Sequence, residues 1–340
     1  MPETAQIVAT AIRDPIRIVR DLGGDVSQLC AAAAVEMPDL LARPSSLPLR
    51  QFVTLNQIAA SRLHAPHFGR FVGANFDVTN IGEVGRAAMA APTLGAALRL
   101  VERAFNTVQD ETDFRLEVRG GEACLSYRIL DANIWPRDQD AELTIGVFAS
   151  MIARVAGAGW CPTELCFEHP DQGADHRSGA AAFSPVIYQA DTNALTFSAG
   201  LLDRPMPGGD LRRFQMRSTE LTEVAIRLER DCTLVERTRR QVMLTMGNGC
   251  ADQTLVARQL GLSRRSLRRR LADEGTSFAE ILGQCRDLRA MTLLAKTGLP
   301  IPEIADRLGY SEASSFERAF RRRTGQTPAA YRRSSADQGA

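Results

Sequence analysis

No stretch of this 340-residue chain approaches the roughly 18 consecutive apolar residues that a membrane helix needs. The N-terminal segment is broken by Arg13, Asp14, Pro15 and Arg17, so it does not read as a secretory leader. There is no low-complexity tract. A Gly-x-Ser-x-Gly elbow, a phosphate-binding loop and a dinucleotide fingerprint are all missing. Histidine is scarce: His64, His67, His169 and His176 are the four. The cysteines, Cys30, Cys124, Cys161, Cys166, Cys232, Cys250 and Cys285, are odd in number and irregularly spaced. These absences lead us to expect a cytoplasmic protein with reduced thiols, no membrane partner, no cofactor and no enzymatic activity.

What is present is an uneven charge. The chain carries a formal net +1, which hides a split. From Thr233 to the end, 19 basic residues face 11 acidic ones, and before it 22 face 29. A basic part joined to an acidic part suggests a polyanion partner for the first. The competing reading is an ordinary solvated surface. The length favours two domains, and the 44% apolar content is that of a globular chain.

Residues 4–110 read mostly as helices. "TLGAALRLVERAFNTV" sets Leu94, Leu98, Val101, Phe105 and Val108 on one face, with Thr93 as N-cap after Pro92. "HFGRFVGANF" is a second helical piece, loosened by its glycines. "DFRLEVRGGEACLSYRIL" is two alternating runs around Gly120-Gly121, a hairpin. A helix follows, then strands in "TELCFEHP" and "PVIYQADTNALTFS". This pattern predicts an α+β domain over 1–205, with helices over a small antiparallel sheet. "DRPMPGGD" (203–210) marks a linker, and only helices follow. Residues 206–232 hold the linker and a helix whose Phe214, Leu221, Val224 and Leu228 could pair two protomers or dock the two domains. An all-α domain spans 233–333, and 334–340 reads as a disordered tail.

One short unit occurs twice: "VARQLGLS" at 256–263 and "IADRLGYS" at 304–311. Each is followed by a basic run. In the first copy, Ala257 is small where two helices cross, and Gly261 suits a left-handed turn. Ser263 can cap the second helix. Leu267 and Leu271 form that helix's buried stripe, while Arg265, Arg268 and Arg269 share the opposite face. The result is a helix-turn-helix with a basic outer helix, a shape suited to the DNA major groove. In the second copy Ala305, Gly309 and Ser311 hold the turn, with Phe316 and Phe320 in place of the leucines. Between the copies, 277–296 reads as one helix of about 30 Å, close to the roughly 34 Å of one DNA turn. Such a helix would hold two recognition helices in successive major grooves.

"IADRLGYSEASSFERAFRRRTGQTPAAYRR" resembles the signature of AraC/XylS-type transcription regulators, with Gly325, Pro328, Tyr331 and Arg332 in the closing motif. The likeness covers roughly 233–333. "PTLGAALRL", "CFEHP" and "NALTFSAGLLDRPMPGGD" carry a weaker likeness to the arabinose-binding-type regulatory domain. The resemblance implies an effector-responsive activator that binds double-stranded DNA, works with RNA polymerase and forms a homodimer. It implies DNA-contacting positions at Ser263, Arg264, Arg265, Arg268 and Arg269, and at Ser311, Ala313, Ser314, Glu317 and Arg318. Ala313 offers no hydrogen bond, and Glu317 can accept from cytosine but repels phosphate. The first helix is therefore expected to read more sequence. Arg321, Arg322 and Arg323 are expected on phosphate or in solvent.

A helical layer over a sheet could enclose an apolar cavity for a small, partly apolar effector. The candidate contacts are polar or amphipathic residues in apolar stretches: Asn56, Asn75, Asn106, Trp135 and Arg154. An alternative is a metal or redox sensor built on Cys161, Cys166 and His169, with His176 nearby. A third reading is an architectural, nonspecific DNA binder. Two recognition helices with different outer faces argue instead for sequence reading.

Overall fold

The computed structural model describes residues 5–36, 46–131, 133–171, 173, 184–246 and 251–337. The chain divides into two units, Met1–Glu229 and Arg230–Ala340. The first begins with β1 (Gln6–Val8), α1 (Arg13–Asp21), α2 (Val26–Ala32), β2 (Ser46–Pro48) and α3 (Leu49–Arg62). It continues through α4 (Phe68–Ala74), α5 (Glu83–Met89), α6 (Leu94–Ala104), β3 (Thr112–Arg119), β4 (Glu122–Ile129) and α7 (Asp138–Ala156). It closes with β5 (Glu164–Cys166), β6 (Val186–Ile187), β7 (Asn193–Ser198) and α8 (Leu211–Asp231).

The apolar stripe at 94–108 is buried as its spacing predicts. Thr93 caps α6, its hydroxyl accepting from the Ala96 amide at 3.2 Å. The glycines of 67–76 do not loosen that segment. A Cβ on Gly73 would lie 2.4 Å from the Leu143 carbonyl oxygen, so the missing side chain lets the α4 and α7 backbones touch.

The hairpin turns at Gly120-Gly121, both at positive φ, as a tight two-residue turn of this hand requires. The sheet order is β3-β4-β7-β5-β6. Its pairings are antiparallel except at one edge, where β5 and β6 run parallel, with Leu165 opposite Val186. This corrects the expected all-antiparallel sheet: a parallel pair needs a crossover of a dozen or more residues, and segment 167–185 is long enough to supply one. A separate antiparallel pair joins β1 to β2, with Ile7 opposite Leu47. Strands so short show no alternation to read.

The stretch expected as a linker is docked. Met206 is buried, and the Asp210 amide donates to the Ala90 carbonyl at 2.9 Å. The α8 helix packs on the first unit through buried Leu221 and Ala225, with Phe214 half-buried. Val224 and Leu228, grouped by spacing with Phe214 and Leu221 on a face for pairing or docking, are exposed.

The second unit is helical among the described residues: α9 (Leu234–Met246), α10 (Gln253–Gln259), α11 (Arg264–Asp273), α12 (Phe278–Lys296), α13 (Ile301–Arg307), α14 (Ala313–Thr324) and α15 (Pro328–Asp337). The expected tail is partly structured, because α15 continues through 334–337. Residues 338–340 lie outside the described residues. At 19 residues, α12 is about 28 Å long. A serine cap starts it: the Ser277 hydroxyl accepts from the Glu280 amide at 3.2 Å and donates to the Glu280 carboxylate at 3.0 Å. Its Phe278, Ile281, Cys285, Ala290 and Leu294 are buried, dividing its apolar side among α9, α13 and α15.

Candidate nucleic-acid interface

The first helical pair starts at Asp252, whose carboxylate accepts from the Thr254 and Leu255 amides, each at 3.2 Å. The bond from the Thr254 amide, with that from Leu255, holds this carboxyl below its ordinary range. After α10 the chain turns at Gly261, at φ +69°, and the Leu262 amide donates to the Ala257 carbonyl at 2.8 Å. Ser263 then caps α11, accepting from the Ser266 amide at 3.1 Å. Leu267 and Leu271 are fully buried. On the other side Arg264, Arg265, Arg268, Arg269 and Arg270 are all exposed. Arg264, Arg265 and Arg268 wall a shallow cleft.

The second pair repeats the turn bond for bond. Gly309 has φ +72°, and the Tyr310 amide donates to the Ala305 carbonyl at 3.0 Å. The copies then fall out of step by one residue. Ser263 is the N-cap of α11, but the N-cap of α14 is Glu312, one place past Ser311, and it makes no side-chain capping bond. The buried pair shifts likewise, from Leu267 and Leu271 to Phe316 and Phe320. Ser314, Glu317 and Arg318 thereby take the places of Arg265, Arg268 and Arg269. All three are exposed, and Ala313 is half-buried. The Ser314 hydroxyl donates to Glu312 at 3.1 Å and Arg318 to the Ser315 hydroxyl at 3.2 Å. Cation chemistry here is almost entirely guanidinium, since Lys296 is the only lysine of the chain.

A polar clamp between α12 and the second pair escaped the sequence reading. Arg286 donates to the carbonyls of Leu308 and Gly309 at 2.9 and 3.0 Å, and its guanidinium lies 4.5 Å from the Tyr310 ring centroid. Asp287 pairs with Arg323, which also donates to the Tyr310 hydroxyl at 3.2 Å. Arg323 is thus tied to α12 and Tyr310, although it is exposed like Arg321 and Arg322. Arg332 donates to the carbonyls of Leu294 and Leu299 at 3.3 and 2.6 Å, holding α15 to the end of α12 and the turn after it. The one hint was the adjacent charged pair Arg286-Asp287 in the middle of α12.

The proposed effector contacts do not converge. Asn56 is buried but donates to the Phe52 carbonyl of its own helix at 2.9 Å. Asn75 is exposed and does the same to Phe71. Asn106 donates to the Ala225 carbonyl at 3.2 Å, tying the end of α6 to α8. Trp135 lies beneath Arg137, and Arg154 is exposed on the last turn of α7. A cavity does exist in the core of the first unit, lined by Phe52, Phe76, Phe105, Phe148, Gln109 and Asp140 among others, but its volume is only about 30 Å³. That is room for one or two waters.

The metal or redox alternative is not supported. Among the described residues no group of three His, Cys, Asp or Glu could hold a metal. Burial pushes the Cys166 thiol up to about 12, which suppresses the thiolate a redox sensor needs. The His169 ring is buried against the Pro170 carbonyl and the Phe167 ring. His176 lies outside the described residues. Elsewhere, no described helix is long and apolar enough to cross a membrane.

The family models that match the chain fall on the same two-part layout. Residues 23–206 match the family described as arabinose-binding domain of AraC transcription regulator, N-term, and residues 256–334 match a helix-turn-helix domain. An uncharacterized HTH-type transcriptional regulator of Mycobacterium tuberculosis is 28% identical over 335 residues, with 95% of each chain covered. The ornithine utilization regulator of Pseudomonas aeruginosa is 27% identical over 335 residues, with 97% of each chain covered. The crystal structure of the transcriptional regulator CdpR from Pseudomonas aeruginosa shares 25% identity, covering 92% of this chain and 97% of its own, with a TM-score of 0.42.

Proposed function

The chain belongs to the AraC family of DNA-binding transcription regulators, the branch with an arabinose-binding-type N-terminal domain, and from that premise we propose an effector-controlled activator that reads two DNA half-elements. The α10–α11 and α13–α14 pairs act as two helix-turn-helix motifs, with α11 and α14 as recognition helices. Arg265, Arg268 and Arg269 read base edges, Arg being suited to bidentate contact with guanine. Ser263, Arg264 and Ser311 approach phosphate, and Ser314, Glu317 and Arg318 read the second element more weakly. Ala313 can meet only a thymine methyl.

The observation that carries the reading is the repeated turn at Gly261 and Gly309, each followed by a helix with an exposed polar face, on either side of one 19-residue helix. The first unit binds a small effector, and the chain works in the cytoplasm as a homodimer beside RNA polymerase. The relative that regulates ornithine utilization, by its name, fits control by a metabolite.

The test is a two-residue insertion after Gln284 in α12. At about 3.6 residues per turn it rotates one recognition helix by roughly 200° against the other. Specific operator binding is expected to collapse while circular dichroism still reports a folded helical unit. Unchanged operator affinity in a folded insertion variant would refute the two-element geometry.

A further inference from the structure

The enclosed cavity is too small for a metabolite, but a larger space lies wholly within the first unit. A groove of about 550 Å³ runs between α6 and α8, within the size range of small-molecule sites. Its floor is apolar: Leu100 is buried, and Ala96 and Phe214 are half-buried. Arg99 and Arg103 stand one turn apart on the α6 side, both exposed. Among the described residues neither guanidinium has an ion-pair or side-chain hydrogen-bond partner.

The opposite wall offers no competing donor. Thr219 and Thr222 donate their hydroxyl protons to the carbonyls of Gln215 and Ser218 at 2.9 and 2.7 Å, and Ser218 donates to Gln215 at 3.2 Å. Those oxygens remain acceptors only. An anion in the groove is therefore gripped by the two arginines. Glu223 on the same wall disfavours a second negative charge. We propose that this groove binds an amphipathic monocarboxylate, its apolar body on Leu100 and Phe214 and its carboxylate between Arg99 and Arg103.

The placement also suits regulation, resting here on the reading that the first unit binds an effector. The α8 wall is lightly held. Its ties include Leu221, Ala225, the half-buried Phe214, the Asn106 bond to Ala225 and the Arg217–Glu83 ion pair, while Leu211, Met216, Val224, Ile226 and Leu228 are exposed. Its last turn spans the boundary at Glu229 and Arg230. A ligand between α6 and α8 bears on the helix whose chain runs directly into the DNA-binding unit.

The test is calorimetry on the full-length protein with 4-phenylbutyrate, with its uncharged isostere 4-phenyl-1-butanol and the dianion phenylsuccinate as comparisons. The acid is expected to bind, with the alcohol and the dianion each about tenfold weaker or worse, because charge-assisted bonds to both arginines are lost or Glu223 is opposed. R99A/R103A should lose about tenfold in affinity for the acid, and E223Q should admit phenylsuccinate. Thermal unfolding of each variant checks that the fold is intact. Failure of the acid to bind, equal binding of acid and alcohol, or wild-type affinity in R99A/R103A would overturn the site. Operator-shift titrations separate this from the effector reading. If a small-molecule extract of the native cells shifts operator affinity equally in wild type and R99A/R103A, effector control stands and the groove's part in it falls. If 4-phenylbutyrate binds through the arginines, the site stands even where operator affinity does not respond.

Discussion

The Tyr127 hydroxyl donates to Asp140 Oδ2 at 2.7 Å in the core of the first unit. Asp140 is 1% exposed, and its other oxygen has no hydrogen-bond partner among the described residues. Burial outweighs the Tyr127 bond and pushes this carboxyl from 3.8 up to about 6. A carboxyl raised on folding holds its proton more tightly in the native state. Its stabilising effect is complete below pH 3.8 and is lost as pH rises through about 6. The full span corresponds to about 3 kcal/mol, at roughly 1.4 kcal/mol per pH unit. D140N removes the titration, so the difference in unfolding free energy between wild type and D140N should move in the variant's favour between pH 4 and 7. Thermal or urea unfolding at those two values measures it. A pH-independent difference would show that the carboxyl does not titrate in this window.

The one-residue slip between the repeated units separates two serines that look equivalent in sequence. Ser263 caps α11 through the Ser266 amide, whereas α14 starts after Glu312 without a side-chain cap. S263A is expected to destabilise the second unit by about 1 kcal/mol. S311A should stay within about 0.5 kcal/mol of wild type. Urea midpoints on both variants test this, and an equal loss would place Ser311 in a capping role after all.

The first half of the repeat was legible because its determinants are local. A glycine, a capping serine and residues three and four apart define turn, helix start and faces within a dozen positions. The α6 stripe and the Gly120-Gly121 hairpin were readable for the same reason. The parallel β5–β6 edge was not, since it depends on where a long connection returns the chain. The candidate effector residues were chosen as polar side chains in apolar runs, a feature that a bond to the residue's own helix accounts for as well. Asn56 and Asn75 satisfy themselves on their own helices, four residues back. Arg99 and Arg103 become a pair facing a groove only when α8 arrives from more distant sequence. Arg323 looked like one more surface cation until α12 supplied Asp287.

Base reading predicts an asymmetry between the recognition helices. The α11 face presents Arg265, Arg268 and Arg269, and the matching α14 face presents Ser314, Glu317 and Arg318. R265A or R269A should weaken binding to the preferred site by about 1–3 kcal/mol and relax sequence preference in one half of it. S314A should do less, since a serine contact carries less discrimination than a bidentate arginine. Competition shifts against a randomised half-element measure both effects. Equal losses on preferred and random DNA would reduce these arginines to phosphate contacts.

The division between Glu229 and Arg230 predicts separable activities. The second unit has its own core, with Val256, Leu267, Leu271, Ile281, Phe316 and Phe320 all buried. A fragment from Arg230 onward should therefore fold alone and bind DNA as a monomer. Its affinity should fall steeply with salt, because each guanidinium–phosphate contact releases a counterion. The fragment ending at Glu229 carries the acidic surplus and should bind no operator. It should hold the small molecule, since α6 and α8 both belong to it. Only the intact chain should couple the two, with effector changing operator affinity by a factor equivalent to about 1–3 kcal/mol. Calorimetry and shift titrations on both fragments and the full chain measure each term. A response of the C-terminal fragment alone to the small molecule would put the effector site in the DNA-binding unit, and operator binding by the N-terminal fragment alone would break the assignment of the two units.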